Sequence, residues 1–180
     1  RINFDANGYE VLPVIISPER KKRLNDNILM FFTGFTRLSS EVQRANAAGR
    51  KDKTKQLQEM YALVDEAEKI LTAKTRDLDD FGRLLDHTWR LKRQVGGAVS
   101  TDNIDGLYEK GLKAGALGGK LLGAGGGGFL IFYAQPEYHE ALKAAMSDLL
   151  YIPFRFENGG TRVIYYSPEE YVPHHAEEKK

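Results

Sequence analysis

The chain has 180 residues, 42% of them hydrophobic and 28% charged, a composition typical of a globular domain rather than a disordered segment. Its 26 basic and 25 acidic residues leave a net charge of +1, which gives no electrostatic reason to expect nucleic acid or a membrane as partner. The absence of cysteine excludes disulfides and cysteine nucleophiles, and the longest apolar runs, ILMFF and FLIFY, are far shorter than the ~20 residues of a membrane-spanning helix.

The first third of the chain predicts two strands and a helix. Residues 9–16 (YEVLPVII) and 28–35 (ILMFFTGF) are rich in β-branched and aromatic residues, and Pro13 places the first of them at a sheet edge or a bulge. Residues 36–49 are helical in composition, with Gly49 as the expected residue after the last turn. Because the chain begins without Met and reads as strand from its first residues, we expect a fragment of a longer protein.

Three further helices are predicted from apolar residues at helical spacing. The first carries Leu57, Met60, Tyr61, Val64, Ala67 and Leu71. The second carries Leu78, Phe81, Leu84, Leu85 and Leu91, with Asp77 as its N-cap. The third begins at Ser100 or Thr101 and ends at Gly115.

The last third predicts short strands and one more helix. The runs GKLL and FLIFYA flank a glycine cluster, and Pro136 is well placed in the first turn of a helix. NGG joins YIPFRFE to RVIYY and predicts a β-hairpin. Segregated helices with a hairpin-rich end indicate the α+β class with an antiparallel sheet. We expect residues 1–170 to form one domain and residues 171–180 to be a polar tail.

Seven glycines lie within residues 118–128. Such a cluster calls for an explanation, because a glycine inside a helix or strand lowers stability by roughly 0.5–1 kcal/mol relative to alanine. Gly123, Gly125 and Gly128 match the dinucleotide fingerprint G-x-G-x-x-G, but a strand-like segment follows where that motif needs a helix. The Walker A pattern also fails, because Ala114 stands where its first glycine belongs and Leu121 follows Lys120.

The remaining interpretation is a glycine loop between two strands. Successive backbone N–H groups in such a loop can form an anion-binding nest, with Lys120 at its mouth facing a phosphate. The candidate loop residues are Gly123, Ala124, Gly125, Gly126, Gly127 and Gly128. The alternative is a hairpin whose glycines only allow close packing, with Lys120 on a solvent-facing strand. Length favours the nest, because a hairpin turn usually needs two to five residues.

Other polar residues give weaker signals. The four histidines are scattered, at positions 87, 139, 174 and 175, without metal-ligand spacing. Asp77, Asp79 and Asp80 lie close together, and charge at a helix start explains them. We therefore assign no metal site and no catalytic residue within this chain.

The segment GGKLLGAGGGGFLIFY resembles the third signature motif of the GHMP kinases, roughly G-x-K-x-[ST]-G-A-G-x-G-G. The motif maps onto Gly118, Lys120, Gly123, Ala124, Gly125, Gly127 and Gly128. Leu122 stands where many members carry Ser or Thr, so the loop is expected to act through its backbone. FFTGFTRLSSEV, LDDFGRLLDHTWRLKRQV and IPFRFENGGTRVIYY extend the likeness over residues 10–167, towards the branch that phosphorylates D-glycero-D-manno-heptose 7-phosphate at O1.

This resemblance implies the C-terminal domain of a two-domain kinase, a ferredoxin-like antiparallel sheet with additional helices. The glycine loop would border the phosphoryl-transfer site, and Thr36 and Arg37 would lie near the sugar phosphate; an exposed arginine at a helix start is the alternative for Arg37. ATP and Mg²⁺ would be bound mainly by the protein's own N-terminal domain. Its phosphate loop, P-x-x-x-G-L-G-S-S-A, does not occur in this chain, so the fragment alone is expected to be inactive.

The resemblance further implies a cytoplasmic enzyme with a small sugar phosphate as substrate, and it leaves a homodimer open. Two other functions also stay open at this point. One is the same fold acting on another sugar, such as a fucose-like or galactose-like substrate. The other is a stand-alone ferredoxin-like module that binds a small anion or a partner.

Overall fold

The structure is a computed structural model, and it describes residues 1–34, 53–96, 99–123 and 125–166. Within these ranges the helices are α1 (Pro18–Asp26), α2 (Thr54–Thr72), α3 (Asp79–Val95), α4 (Asp102–Lys113) and α5 (His139–Ala145), the last preceded by a 3₁₀ turn at Pro136–Tyr138. The strands are β1 (Ile2–Asp5), β2 (Gly8–Val11), β3 (Ile28–Phe32), β4 (Gly118–Leu121), β5 (Phe129–Tyr133) and β6 (Leu150–Tyr151). None of these helices combines the length and the hydropathy that crossing a membrane requires.

Four strands form one antiparallel sheet in the order β4–β5–β3–β6, while β1 and β2 form a separate hairpin. In the register of the larger sheet, Leu29 lies opposite Phe132, and Leu121 lies opposite Leu130. Helices separate β3 from β4, and α5 separates β5 from β6, which is the β-α-β-β-α-β order of a ferredoxin-like fold. The predicted class, a ferredoxin-like antiparallel sheet with additional helices, is confirmed.

The main core lies on the face of this sheet that carries Leu130 and Phe132, and residues of α4, of α5 and of the C-terminal half of α3 contribute to it. Its fully buried members include Phe31, Trp89, Tyr108, Leu130 and Phe132. The Tyr108 ring stacks on Phe132 with 5.8 Å between centroids and lies 6.0 Å from Trp89. Since neighbouring strand residues point to opposite faces, Leu130 and Phe132 face the main core, whereas Tyr133 is buried on the other face in a second cluster with Leu24, Ile70 and Leu78.

Helix α3 runs close to the edge strand β4 because Gly118 has no side chain. A Cβ at Gly118 would lie 2.1 Å from the carbonyl oxygen of Gly82 and 2.7 Å from the backbone nitrogen of Asp86. Both of those residues belong to α3. This close approach brings the C-terminal turn of α3 beside the loop that follows β4.

Helix α1 was not predicted from the sequence. Ser17 caps it by accepting a hydrogen bond from the N–H of Arg20 at 3.2 Å, and Pro18 occupies its first turn. The Arg20 guanidinium also donates to the carbonyl oxygens of Ile70 and Leu71, at the end of α2, and of Arg76. The helix is thus held by a cap and by a distant set of carbonyls, more than by a continuous apolar stripe.

The predicted C-terminal hairpin is wrong. Of its first arm, residues 151–157, only Tyr151 lies in a strand: it ends β6, which pairs with β3, and residues 152–166 contain no strand. Pro153 has no N–H for a ladder, and the Glu157 carboxylate accepts the N–H groups of Asn158 and Gly159 instead. Val163 and Ile164, in the predicted second arm, are 80% and 92% exposed.

Other predicted elements are confirmed with shifted bounds. The strand predicted at residues 9–16 is β2, which ends at Val11, two residues before Pro13. Helix α4 has the predicted Thr101 cap, which accepts from the N–H of Ile104 at 3.3 Å. The N-cap of α3 is Leu78 rather than Asp77, although the Asp77 carboxylate accepts from the N–H of Asp79 at 3.1 Å. The helix predicted at residues 36–49 and the polar tail lie outside the described residues.

Candidate functional site

The glycine loop connects β4 to β5 as the sequence predicts. Residues 122–128 form it, and the N–H of Leu122 donates to the carbonyl oxygen of Phe129 at 2.8 Å to close its base. With seven residues, the loop is longer than a hairpin turn requires. Ala124 lies outside the described residues.

One side of the loop rests on the backbone of Val99, which lies between α3 and α4. The N–H of Gly126 donates to the carbonyl oxygen of Val99 at 3.0 Å. Gly125, with φ of +117°, leaves no room for a side chain: a Cβ there would lie 2.7 Å from the Cα and carbonyl oxygen of Val99. Packing against Val99 therefore requires glycine at position 125.

The other end of the loop is tied to β3 through Thr33. The Thr33 N–H donates to the carbonyl oxygen of Gly128 at 2.8 Å, and the Gly128 N–H donates to Thr33 Oγ1 at 3.1 Å. The N–H groups of Gly126 and Gly128 thus already have acceptors within the protein. Those of Gly123, Gly125 and Gly127 have no acceptor among the described residues, so they are the donors left for an anion.

Two lysines lie at the start of this loop. Lys120 is half-buried in β4, on the sheet face of its register partner Ile131. Lys92, half-buried in the last turn of α3, donates from Nζ to the carbonyl oxygen of Gly123 at 2.8 Å. Burial lowers the pKa of both lysines, and the charge of Lys120 lowers the pKa of Lys92 further. Lys120 also lies on the same face of β4 as Gly118, which packs against α3, so the two lysines belong to adjoining surfaces beside the loop.

The arginines of α3 have different surroundings. Arg83, Arg90 and Arg93 contact the carboxylates of Asp80, Asp86 and Asp105 at 2.7, 2.8 and 3.2 Å. Within the described ranges, no carboxylate forms an ion pair with Lys92 or Lys120. Sequence reasoning found Lys120 but missed Lys92, since a basic residue in the last turn of a helix is ordinary. Lys92 and Gly123 are 31 positions apart, so no local signal in the sequence indicates their contact.

Asp79, interpreted from sequence as helix-start charge, has a second role in the fold. It is only 3% exposed, accepts from Tyr133 Oη at 3.1 Å and also accepts from the Gln135 side-chain amide. Tyr133 Oη in turn accepts from the Asn27 amide at 2.9 Å. This network joins the N-terminus of α3 to the ends of α1 and β5. It lies at the opposite end of β5 from the glycine loop.

The remaining predicted positions do not extend the site. Thr36 and Arg37 lie outside the described residues, as do His174 and His175. His87 pairs with Glu59 at 2.9 Å, and His139 Nε2 lies 3.1 Å from the carbonyl oxygen of Ala134. In the part of the chain that is described, no group of three or more His, Asp and Glu side chains could hold a metal ion. The donors at the loop, N–H groups and ammonium groups, suit phosphate oxygens rather than Mg²⁺.

Two named relatives are kinases. Over 157 residues the chain is 29% identical to D-glycero-alpha-D-manno-heptose 7-phosphate kinase of Campylobacter jejuni, covering 83% of this chain and 46% of that protein. Over 134 residues it is 29% identical to the bifunctional fucokinase/GDP-fucose pyrophosphorylase of Arabidopsis thaliana, covering 70% of this chain and 12% of that protein. The chain thus spans less than half the length of either protein.

A solved structure has the same fold. The L. major mevalonate kinase, crystallised in complex with R-mevalonate, superposes with a TM-score of 0.63 at 20% identity, over 82% of this chain and 44% of that one. Residues 59–152, just over half of the chain, match the family described as GHMP kinases C terminal. That span includes α3, both lysines and the whole glycine loop. The chain therefore belongs to the GHMP kinases and carries their C-terminal region.

Proposed function

We propose that the chain is the C-terminal domain of an ATP-dependent sugar kinase that phosphorylates a heptose 7-phosphate at O1. The main support is that the chain belongs to the GHMP kinases, which are phosphotransferases. The heptose kinase relative, aligned over 83% of this chain, supports the sugar. The fucokinase relative is equally identical and supports a fucose-like sugar as the second candidate.

In this proposal the glycine loop borders the site of phosphoryl transfer. Phosphoryl transfer depends mainly on positioning and on stabilising charge on the phosphate oxygens. Because the loop is held in place by Val99 and Thr33, its remaining N–H groups meet that need without moving a side chain during the reaction. We place the phosphate contacts at Lys120 and at the N–H groups of Gly123, Gly125 and Gly127, and a sugar-phosphate contact at Thr36 and Arg37.

We also propose that the ATP phosphate loop and the Mg²⁺ ligands lie in an N-terminal half of the same protein, which acts in the cytoplasm. Mg²⁺ would neutralise charge on the ATP phosphates when bound. The apolar face of the β1–β2 hairpin supports such a partner domain, because Ile2, Phe4, Tyr9 and Val11 are all more than half exposed. Residues 1–170 would form one folding unit, inactive by itself. A homodimer is a further arrangement that could cover the same face.

Substrate specificity tests the proposal. The protein as its gene encodes it is incubated with ATP, Mg²⁺ and, in separate reactions, a heptose 7-phosphate, fucose, galactose or mevalonate, and ADP release is measured. We expect kcat/KM to be highest for the heptose 7-phosphate. A higher kcat/KM for fucose would identify the second candidate, a fucose-like sugar, as the substrate. ADP release no faster with any of the four than without an acceptor would contradict a sugar kinase and favour a stand-alone anion-binding module.

A further inference from the structure

We propose that Lys92 and Lys120 together form a phosphate subsite at the Gly123 end of the glycine loop. The inference rests on the proposed kinase function, because it names the groups that would hold a phosphate of one of the substrates. It adds Lys92, a residue of α3, to a site otherwise built from β4 and its loop.

The two lysines belong to adjoining elements. Lys92 extends from the last turn of α3, and its Nζ lies 2.8 Å from the carbonyl oxygen of Gly123. Lys120 is only three positions before Gly123 along the chain. Its side chain points to the same face of β4 as Gly118, two positions earlier, and Gly118 packs against Gly82 and Asp86 of α3, the helix that carries Lys92.

This arrangement is unfavourable without an anion. Both side chains are half-buried, so each ammonium group has lost part of its hydration. Among the described residues neither has a carboxylate partner, in contrast to Arg83, Arg90 and Arg93 on the same helix. Two partly desolvated like charges without a carboxylate partner destabilise the ligand-free fold, and a dianion bound by both would reverse that effect.

Phosphate is the anion that fits best. A lysine binds phosphate as a compact point charge with three donors, and two lysines match the two charges of a phosphate at neutral pH. The N–H of Gly123 is a third donor at this point, since no described residue accepts from it. There is also space: a Cβ placed on Gly123 would meet no atom within 4 Å. The phosphate could belong to a nucleoside triphosphate or to a sugar phosphate.

A purely structural role for Lys92 makes a different prediction. A cation in the last turn of a helix interacts favourably with the helix dipole, and its bond to Gly123 would hold the loop in place. On that account Lys92 matters for the loop, whereas Lys120 makes no contribution to anion binding. Lys120 is therefore the decisive residue.

The test measures binding of tripolyphosphate, without Mg²⁺, by calorimetry to the protein as its gene encodes it. We expect Lys120→Gln and Lys92→Gln each to weaken binding tenfold or more, and Lys120→Arg to retain most of it. Lys113→Gln, which removes an exposed lysine of α4, is the matched control and should bind like the wild type. Wild-type affinity in Lys120→Gln, with its fold verified by circular dichroism, would overturn the subsite.

Titrations with ATP and with a heptose 7-phosphate then distinguish the two sources of phosphate. Weaker binding of ATP alone in the lysine variants assigns the subsite to the nucleotide, and weaker binding of the sugar phosphate alone assigns it to the acceptor. Unchanged affinity for both would overturn the subsite. Lysine-dependent phosphate binding in a protein that phosphorylates no sugar would instead contradict the proposed kinase function, so the two failures are distinguishable.

Discussion

At the scale of single residues, the site contains two lysines whose charges destabilise the ligand-free protein. Lys92 and Lys120 carry like charges at one end of the loop, and burial lowers the pKa of each. A lowered lysine pKa means that the folded state holds the proton less tightly than the unfolded state does. The unfolding free energy therefore rises with pH between the lowered folded pKa and the ordinary lysine value of about 10.4.

Replacing Lys120 tests whether its half-buried charge lowers the stability of the ligand-free protein. We expect Lys120→Met to raise the thermal midpoint of the ligand-free protein at pH 7, because the variant removes a half-buried charge beside Lys92. The gain should shrink as pH rises towards 10, where the wild-type lysine loses its proton. Differential scanning calorimetry measures both effects, with Lys113→Met as control. A lower midpoint at pH 7 would mean that Lys120 stabilises the fold.

Gly123 and Gly125 differ in how much space surrounds a side chain placed at each position. Gly125→Ala places a Cβ 2.7 Å from the Val99 backbone, whereas a Cβ at Gly123 meets nothing within 4 Å. Both positions have positive φ, which costs an alanine about 1–2 kcal/mol. We therefore expect Gly125→Ala to lower the unfolding free energy by more than Gly123→Ala does, as measured by urea denaturation. Equal losses would show that Val99 does not constrain the loop.

At the scale of secondary-structure elements, the buried Asp79 network sets where α3 lies. The Asp79 carboxylate accepts from Tyr133 and from Gln135, and Arg23 lies 3.7 Å away. Burial, with the nearby Asp79, raises the pKa of Tyr133 to about 12, although the Asn27 hydrogen bond opposes this. The Tyr133 hydroxyl thus stays protonated and remains a donor to Asp79 throughout the physiological range. The N-terminus of α3 is held in this way, and its C-terminal turn carries Lys92.

Asp79→Asn tests the network. The variant replaces one acceptor oxygen by an NH₂ donor that must face Tyr133 or Gln135, both of which are donors. We expect a loss of about 1–3 kcal/mol in unfolding free energy, measured in urea, because a buried donor is left without an acceptor. Asp80→Asn changes a more exposed carboxylate and should cost less. A loss no larger than that of Asp80→Asn would contradict a structural role for the network.

The elements predicted correctly are those whose signals are local. Apolar spacing predicted α2, α3 and α4, and glycines between two apolar runs predicted β4 and β5. Helix α1 was missed because Arg20 bonds to carbonyls some 50 positions away, at Ile70 and Leu71. The C-terminal hairpin failed because Pro153 interrupts its ladder. At the site, the glycine loop was predicted, but the contact of Lys92 with Gly123 depends on the packing of α3 on β4.

At the scale of the whole molecule, the β1–β2 hairpin has an uncovered apolar face. Phe4 and Tyr9 lie opposite each other in the register, are 77% and 72% exposed, and have ring centroids 6.1 Å apart. The hairpin is tied to α2 by Arg1, which lies 2.6 Å from Asp65 and 2.9 Å from Glu68. An isolated two-stranded hairpin is at best marginally stable in water, and we propose that a further domain covers this apolar face.

Phe4→Ser tests whether this face is covered in the protein as its gene encodes it. If another domain buries Phe4, we expect a loss of about 3–5 kcal/mol in unfolding free energy. If the face remains in water, the change should stay within about 0.5 kcal/mol. Glu10→Ser, on the opposite face of the same hairpin, is the matched control. Similar small effects of both variants would contradict a covering domain.

Phosphorylation of a heptose 7-phosphate can be followed directly by phosphorus NMR of the protein as its gene encodes it, with ATP and Mg²⁺. We expect a new sugar 1-phosphate signal that grows as the γ-phosphate signal of ATP falls, and a rate at least tenfold lower in Lys120→Gln. Absence of any new sugar phosphate signal, with the protein folded and ATP intact, would contradict the assignment of this chain to a heptose kinase.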